Sequence, residues 1–140
     1  MTYTFDGYIY VITLRPGERL SDAIEQFASE TKIEGAWVDG LGAVQEVTLG
    51  FYDLDKKEYL WRTFEGLREL ASLTGNLAFD QDGKIMLHAH GVFGDREYST
   101  VAGHIKDMIA GATVELFVHR SNRSLSRKLD PEVGLQTLNL

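Results

Sequence analysis

One segment of this sequence has the apolar spacing of a helix: Leu20, Ala23, Ile24, Phe27 and Ala28 recur at intervals of three and four, with Ser, Asp, Glu and Gln between them. Most of the remaining apolar sequence is strand-like. YIYVITL (8 to 14) is β-branched and aromatic and ends at Arg15-Pro16-Gly17, where proline and glycine turn the chain. AWV (36 to 38), VTLGFYD (47 to 53), YLWRTF (59 to 64), LRELASLTGNLAF (67 to 79) and KIMLHAHGVF (84 to 93) follow. In ATVELFVH (112 to 119), Ala112, Val114, Leu116 and Val118 alternate with Thr113, Glu115, Phe117 and His119. Short turn signals, LDKK at 54 to 57 and DQDG at 80 to 83, separate these runs as in hairpins. The pattern predicts an α+β fold: a largely antiparallel sheet with one clear helix packed against it.

The 140 residues are enough for one domain with its own core, so 1–140 is read as a single unit. There is no cysteine, which removes disulfides and thiolate chemistry and leaves His, Asp, Glu, Ser and Tyr for any site. No apolar run approaches the roughly 18 to 20 residues of a membrane span, and the start MTYTFDGYIYVITL lacks the features of a secretory signal, so a cytoplasmic location is expected. The net charge of -7 opposes a strong grip on nucleic acid, which needs clustered cations. The exception is RSNRSLSRK, with Arg120, Arg123, Arg127 and Lys128, read as a solvated or helix-capping segment with the potential to form a basic patch.

Two motifs fail on context. DGLGA (39 to 43) lacks the third glycine of a dinucleotide fingerprint and runs into strand rather than helix, so it reads as a glycine turn. No serine sits in a G-x-S-x-G elbow. Asp53, Asp55, Asp80 and Asp82 fall where aspartate bonds to turn backbone.

The histidines carry more. A strand over 85 to 93 puts Ile85, Leu87, Ala89, Gly91 and Phe93 on one face and Met86, His88, His90 and Val92 on the other. The two imidazoles then lie roughly 6 to 7 Å apart along the strand, close enough to converge on one ion. His104, after the permissive Gly103, is available as a third ligand, and three imidazoles with an open position suit zinc. Imidazoles bonded to carbonyls or carboxylates inside the fold are the alternative. His119 falls on the polar face of its strand and reads as a surface residue.

In order along the chain, DGLGAVQEVTLGFYD, LASLTGN, DGKIMLHAHGVFGD, VAGHI and TVELFV resemble the PPC domain, the plant and prokaryote conserved domain, from about Arg15 to the closing LDPEVGLQTL. The resemblance implies an antiparallel-sheet fold, a homotrimer, and in prokaryotes a stand-alone domain of this length. The family's histidine pattern falls on His88, His90 and His104, where some members hold a metal. Plant members carry R-G-R-P hooks for the DNA minor groove; no such hook occurs here, and the segment before the SLTGN run, FEGLRELA, also departs from the plant type. Direct DNA binding is therefore not expected. Two functions remain: a DNA-associated or regulatory assembly module with a structural or sensory metal, or a small metal-dependent enzyme in which the same site activates water. Asp39, Asp95 and Glu115 are the candidate bases for the enzyme. Trp37, Phe51, Tyr52 and Trp61 supply aromatic surface suited to subunit contacts.

Overall fold

The computed structural model describes residues 1–140. Its elements are β1 (Thr2–Phe5), β2 (Ile9–Leu14), α1 (Leu20–Thr31), β3 (Ala36–Asp53), β4 (Glu58–Phe79), β5 (Ile85–Gly94), β6 (Thr100–Arg120), β7 (Arg127–Asp130) and β8 (Leu135–Leu138). The first six strands form one antiparallel sheet in the order β1-β2-β6-β3-β4-β5. Because β5 also pairs with β6, over His90↔His104 to Gly94↔Thr100, strands β3 to β6 close into a ring of pairings. β7 and β8 make a separate antiparallel hairpin. The α+β expectation is met.

The helix buries Leu20, Ala23, Ile24 and Phe27, the predicted stripe, into a core shared with Leu73, Phe93, Met108 and Leu116. Its first residue behind the stripe, Arg19, provides no side-chain cap. Asp107 of β6 fills that role instead, accepting from the Ser21 backbone N–H at 3.1 Å and Ser21 Oγ at 2.9 Å, with Arg19 at 3.0 Å. The helix closes at Lys32, in the left-handed region at φ 54, whose N–H reaches Ala28 O. No helix is long and apolar enough to cross a membrane.

Three readings of the sequence are corrected. The runs 36 to 38 and 47 to 53 belong to one strand, as do 59 to 64 and 67 to 79, because bulges and glycines break their period without breaking their pairing. DGLGA is therefore not a turn but a bulged stretch of β3: the register slips between Gly40 and Gly42, and Gly42 has φ 145. Third, the 120 to 128 segment is not a wholly solvated or helix-capping run. Arg120, Arg123 and Lys128 are exposed, but Arg127 is buried at the start of β7. In β6, Val114, Leu116 and Val118 are buried as predicted, whereas Ala112 is exposed, since a register shift separates it from that phase. Asp53 and Asp80 act in turns as expected: Asp53 Oδ1 accepts from Lys56 N–H, and Asp80 Oδ1 from Asp82 and Lys84 N–H.

Candidate metal centre

Strand alternation sets the first two site residues. Ala89, Gly91 and Phe93 of β5 are buried, so His88, His90 and Val92 project from the opposite face. His104 arrives by register, as the Cα partner of His90 across β5 and β6. Gly103 permits the approach, since a Cβ there would stand 2.9 Å from Gly50 O. The three ring centroids lie 5.1 to 5.4 Å apart, and one nitrogen from each ring falls within 4.8 Å of the others.

The surroundings favour the neutral form of His88 and His104. Burial pushes the His104 pKa down to about 4, helped by His88, His90 and the Arg127 guanidinium. His88 is lowered for the same reason, with Arg127 as the next cause. His104 Nδ1 is buried and has no hydrogen-bond partner, an uncommon state for an imidazole nitrogen unless something outside the protein fills it. Neutral imidazoles with a free lone pair are the form that binds metal. The residues therefore fit a divalent ion, and the cluster could hold one.

An aromatic wall backs His104. Tyr59 and Trp61 stack on each other at 4.5 Å, and their centroids lie 4.9 and 5.9 Å from the His104 ring. Register explains this: Gly50 of β3 pairs with Trp61 on one side and His104 on the other, and a Cβ there would meet the Trp61 ring at 2.5 Å. On the His88 side stands Arg127, whose Nη2 donates to Asn76 Oδ1 and Nη1 to Gln136 O at 3.0 Å. Asn76 is the β4 register partner of His88. Sequence reasoning missed Arg127, Asn76 and Gly50, and nothing local distinguishes Arg127 from its neighbouring cations.

The carboxylates considered as bases stand outside this group. Asp95 caps the 95 to 99 turn and pairs with Arg68 at 3.5 Å. Asp39 lies two strands from His90, across Thr74, and accepts the Trp37 Nε1–H at 3.0 Å, with His119 Nε2 3.6 Å away. Glu115 lies on β6, paired with Thr13 and Leu41. His119 is half-exposed and away from the cluster, as predicted.

The neutral imidazoles give the metal-free protein a pH signature. His104 has a folded pKa below its ordinary 6.5, so its contribution is complete above about 6.5 and lost as pH falls toward 4. Discounted for its partial exposure, this amounts to roughly 1–2 kcal/mol. Urea midpoints of chelated protein should therefore drop between pH 7 and 4.5, and a His104→Asn variant should show a flatter profile; equal slopes would contradict the assignment.

The family model described as the Plants and Prokaryotes Conserved (PCC) domain matches residues 1–122. The chain belongs to the PCC-domain family. Among solved structures, a candidate DNA-binding protein of Ralstonia eutropha is 32% identical, with TM-score 0.91 over 99% of this chain and 95% of that one. A candidate DNA-binding protein of Bacteroides thetaiotaomicron is 29% identical, with TM-score 0.92 over 99% and 96%. A metal-containing protein of Archaeoglobus fulgidus is 28% identical, with TM-score 0.87 over 100% and 99%. Among curated proteins none matches. The PCC chain thus resembles these solved structures over nearly its whole length.

Proposed function

We propose that this PCC-domain chain, as one unit over residues 1–140, assembles as a homotrimer whose histidine centres each hold a divalent metal, zinc best suiting the donors. It serves as a DNA-associated or regulatory assembly module. The observation that carries the reading is the convergence of His88, His90 and His104 nitrogens within 4.8 Å. Tetrahedral zinc with Zn–N of about 2.0–2.1 Å places its ligand nitrogens about 3.3 Å apart, so modest ring adjustments complete the site. The metal would supply a fixed positive charge and a Lewis-acid position; the chain supplies three neutral donors, an aromatic wall and Arg127. The metal-containing Archaeoglobus relative supports the same reading. Chelation should lower the melting temperature of wild type by several degrees and leave His88→Ala unmoved; a His88→Ala variant with the full chelator response would overturn it.

Trimer formation draws on the outer end of the β3–β4 hairpin. Phe51 and Leu60 oppose each other in register, one row beyond Leu49, yet are 71% and 51% exposed. Trp37 and Trp61 are also exposed, whereas Tyr52 is partly covered and donates to Val133 O. Aromatic surface of this kind suits a subunit interface. Light scattering should give three times the 15.7 kDa chain mass at micromolar concentration, and a monomer mass would contradict the proposal.

DNA association, which the names of the Ralstonia and Bacteroides proteins suggest, is placed in a partner rather than in this chain. With net charge -7, and with Arg127 buried out of the basic segment, binding to generic duplex should be absent or weaker than about 10 μM near 150 mM salt. Tighter binding with a steep salt slope in a fluorescence titration would contradict it. The enzyme reading has one observation in its favour: three protein ligands leave a coordination position for water or substrate, and His90 is exposed. The distance of Asp39, Asp95 and Glu115 from the cluster weighs against those residues as the base.

A further inference from the structure

Arg127 is 7% exposed, and its guanidinium has no carboxylate partner. Two of its five donors go to neutral acceptors, Gln136 O and Asn76 Oδ1, while Nε is buried with no partner. A buried cation is ordinarily paired with an anion, because removing it from water is costly. Its place beside His88 makes the deficit sharper. Arg127 is the charged side chain that lowers the pKa of both His88 and His104, and no carboxylate joins the three nitrogens of the cluster. On the metal reading proposed above, on which this inference rests, three neutral ligands leave the ion's two charges uncancelled beside a third on Arg127.

We propose that the exchangeable position of this centre is a carboxylate site: one oxygen of a small organic acid binds the metal, and the Arg127 guanidinium takes the acid's remaining hydrogen-bonding capacity. A planar, two-oxygen anion suits both partners, since guanidinium donors match carboxylate geometry. The Tyr59 and Trp61 rings across His104 give the rest of such an acid apolar surface to lie against. Asn76 is the positioning residue, holding Nη2 so that the guanidinium stays beside His88.

The test uses cobalt(II) as a spectroscopic metal, titrated into metal-free full-length protein, followed by acetate and, separately, its neutral analogue acetamide. Variants are Arg127→Gln and, in case the loss of the Gln136 and Asn76 contacts unfolds the chain, Asn76→Asp, which keeps the shape and gives Arg127 an internal carboxylate. Wild type should take one cobalt per chain and bind acetate at least tenfold more tightly than either folded variant, with acetamide silent and cobalt affinity equal or higher in the variants. Acetate affinity within twofold of wild type in a variant that holds cobalt, or acetamide matching acetate, overturns the carboxylate site and leaves the metal centre standing. Failure of wild type to take cobalt overturns the metal reading, and this proposal with it.

Discussion

His90→Ala is expected to lower zinc affinity by roughly a hundredfold or more, and His119→Ala to leave it within about twofold. His90 is the central member of the cluster, two residues from His88 on β5 and directly opposite His104 on β6. Losing it leaves two imidazoles, too few for a tight site in competition with water and buffer. His119 controls for general affinity of histidine for zinc, since it is half-exposed and lies beside Asp39, outside the cluster. Competition with a chromophoric chelator reads both constants. Zinc binds the neutral ring, so wild-type affinity should also weaken as pH falls below about 6. If the imidazoles only packed the fold, His90→Ala would lower the melting temperature equally with and without chelator, and the two variants would bind zinc alike.

The second large effect concerns the bulge in β3. Gly42→Ala should destabilise the protein by about 3 kcal/mol or more, while Gly83→Ala should cost about 1 kcal/mol. Both glycines have positive φ, 145 and 75, so both substitutions strain the backbone. They differ in what the new methyl meets. At Gly42 it would stand 2.2 Å from Thr113 O and 2.7 Å from Val114 Cα, backbone of the neighbouring β6 that cannot retreat without breaking the pairing. At Gly83 it meets nothing within 4 Å. Urea denaturation of the two variants isolates the close approach from the conformational strain. Similar losses in both would mean that β6 does not press on the bulge.

β5 was readable because one face is buried and the other is not, so Ala89, Gly91 and Phe93 alternate cleanly with His88, His90 and Val92. The helix was readable from its stripe alone, although its N-terminal partner, Asp107, lies 86 residues away from Ser21. The long strands were not, because bulges near Gly42 and between Val44 and Glu46, and Gly66 at φ 89 within β4, interrupt the period while the hydrogen-bonded pairing goes on. The early part of β6, TVAGHIKDMIAG, hid its strand in the same way, with slips against β3 at Thr48 and Val44. His104, after the permissive Gly103, is available as a third ligand in the sequence, and the family resemblance falls on the same residue, but only register puts it opposite His90. Arg127 was invisible for a tertiary reason. It is buried because the chain returns to β4 through the Phe79↔Ser126 bridge and the Phe79 N–H to Leu125 O bond, contacts that no local pattern encodes.

The metal centre is the claim on which the rest depends, and stoichiometry tests it most directly. Untagged protein, purified without added metal, should contain a divalent metal by elemental analysis. After chelation it should take up close to one zinc per chain at neutral pH, with His88, His90 and His104 as the ligands. Less than about a tenth of an equivalent per chain in the presence of excess zinc would contradict the account.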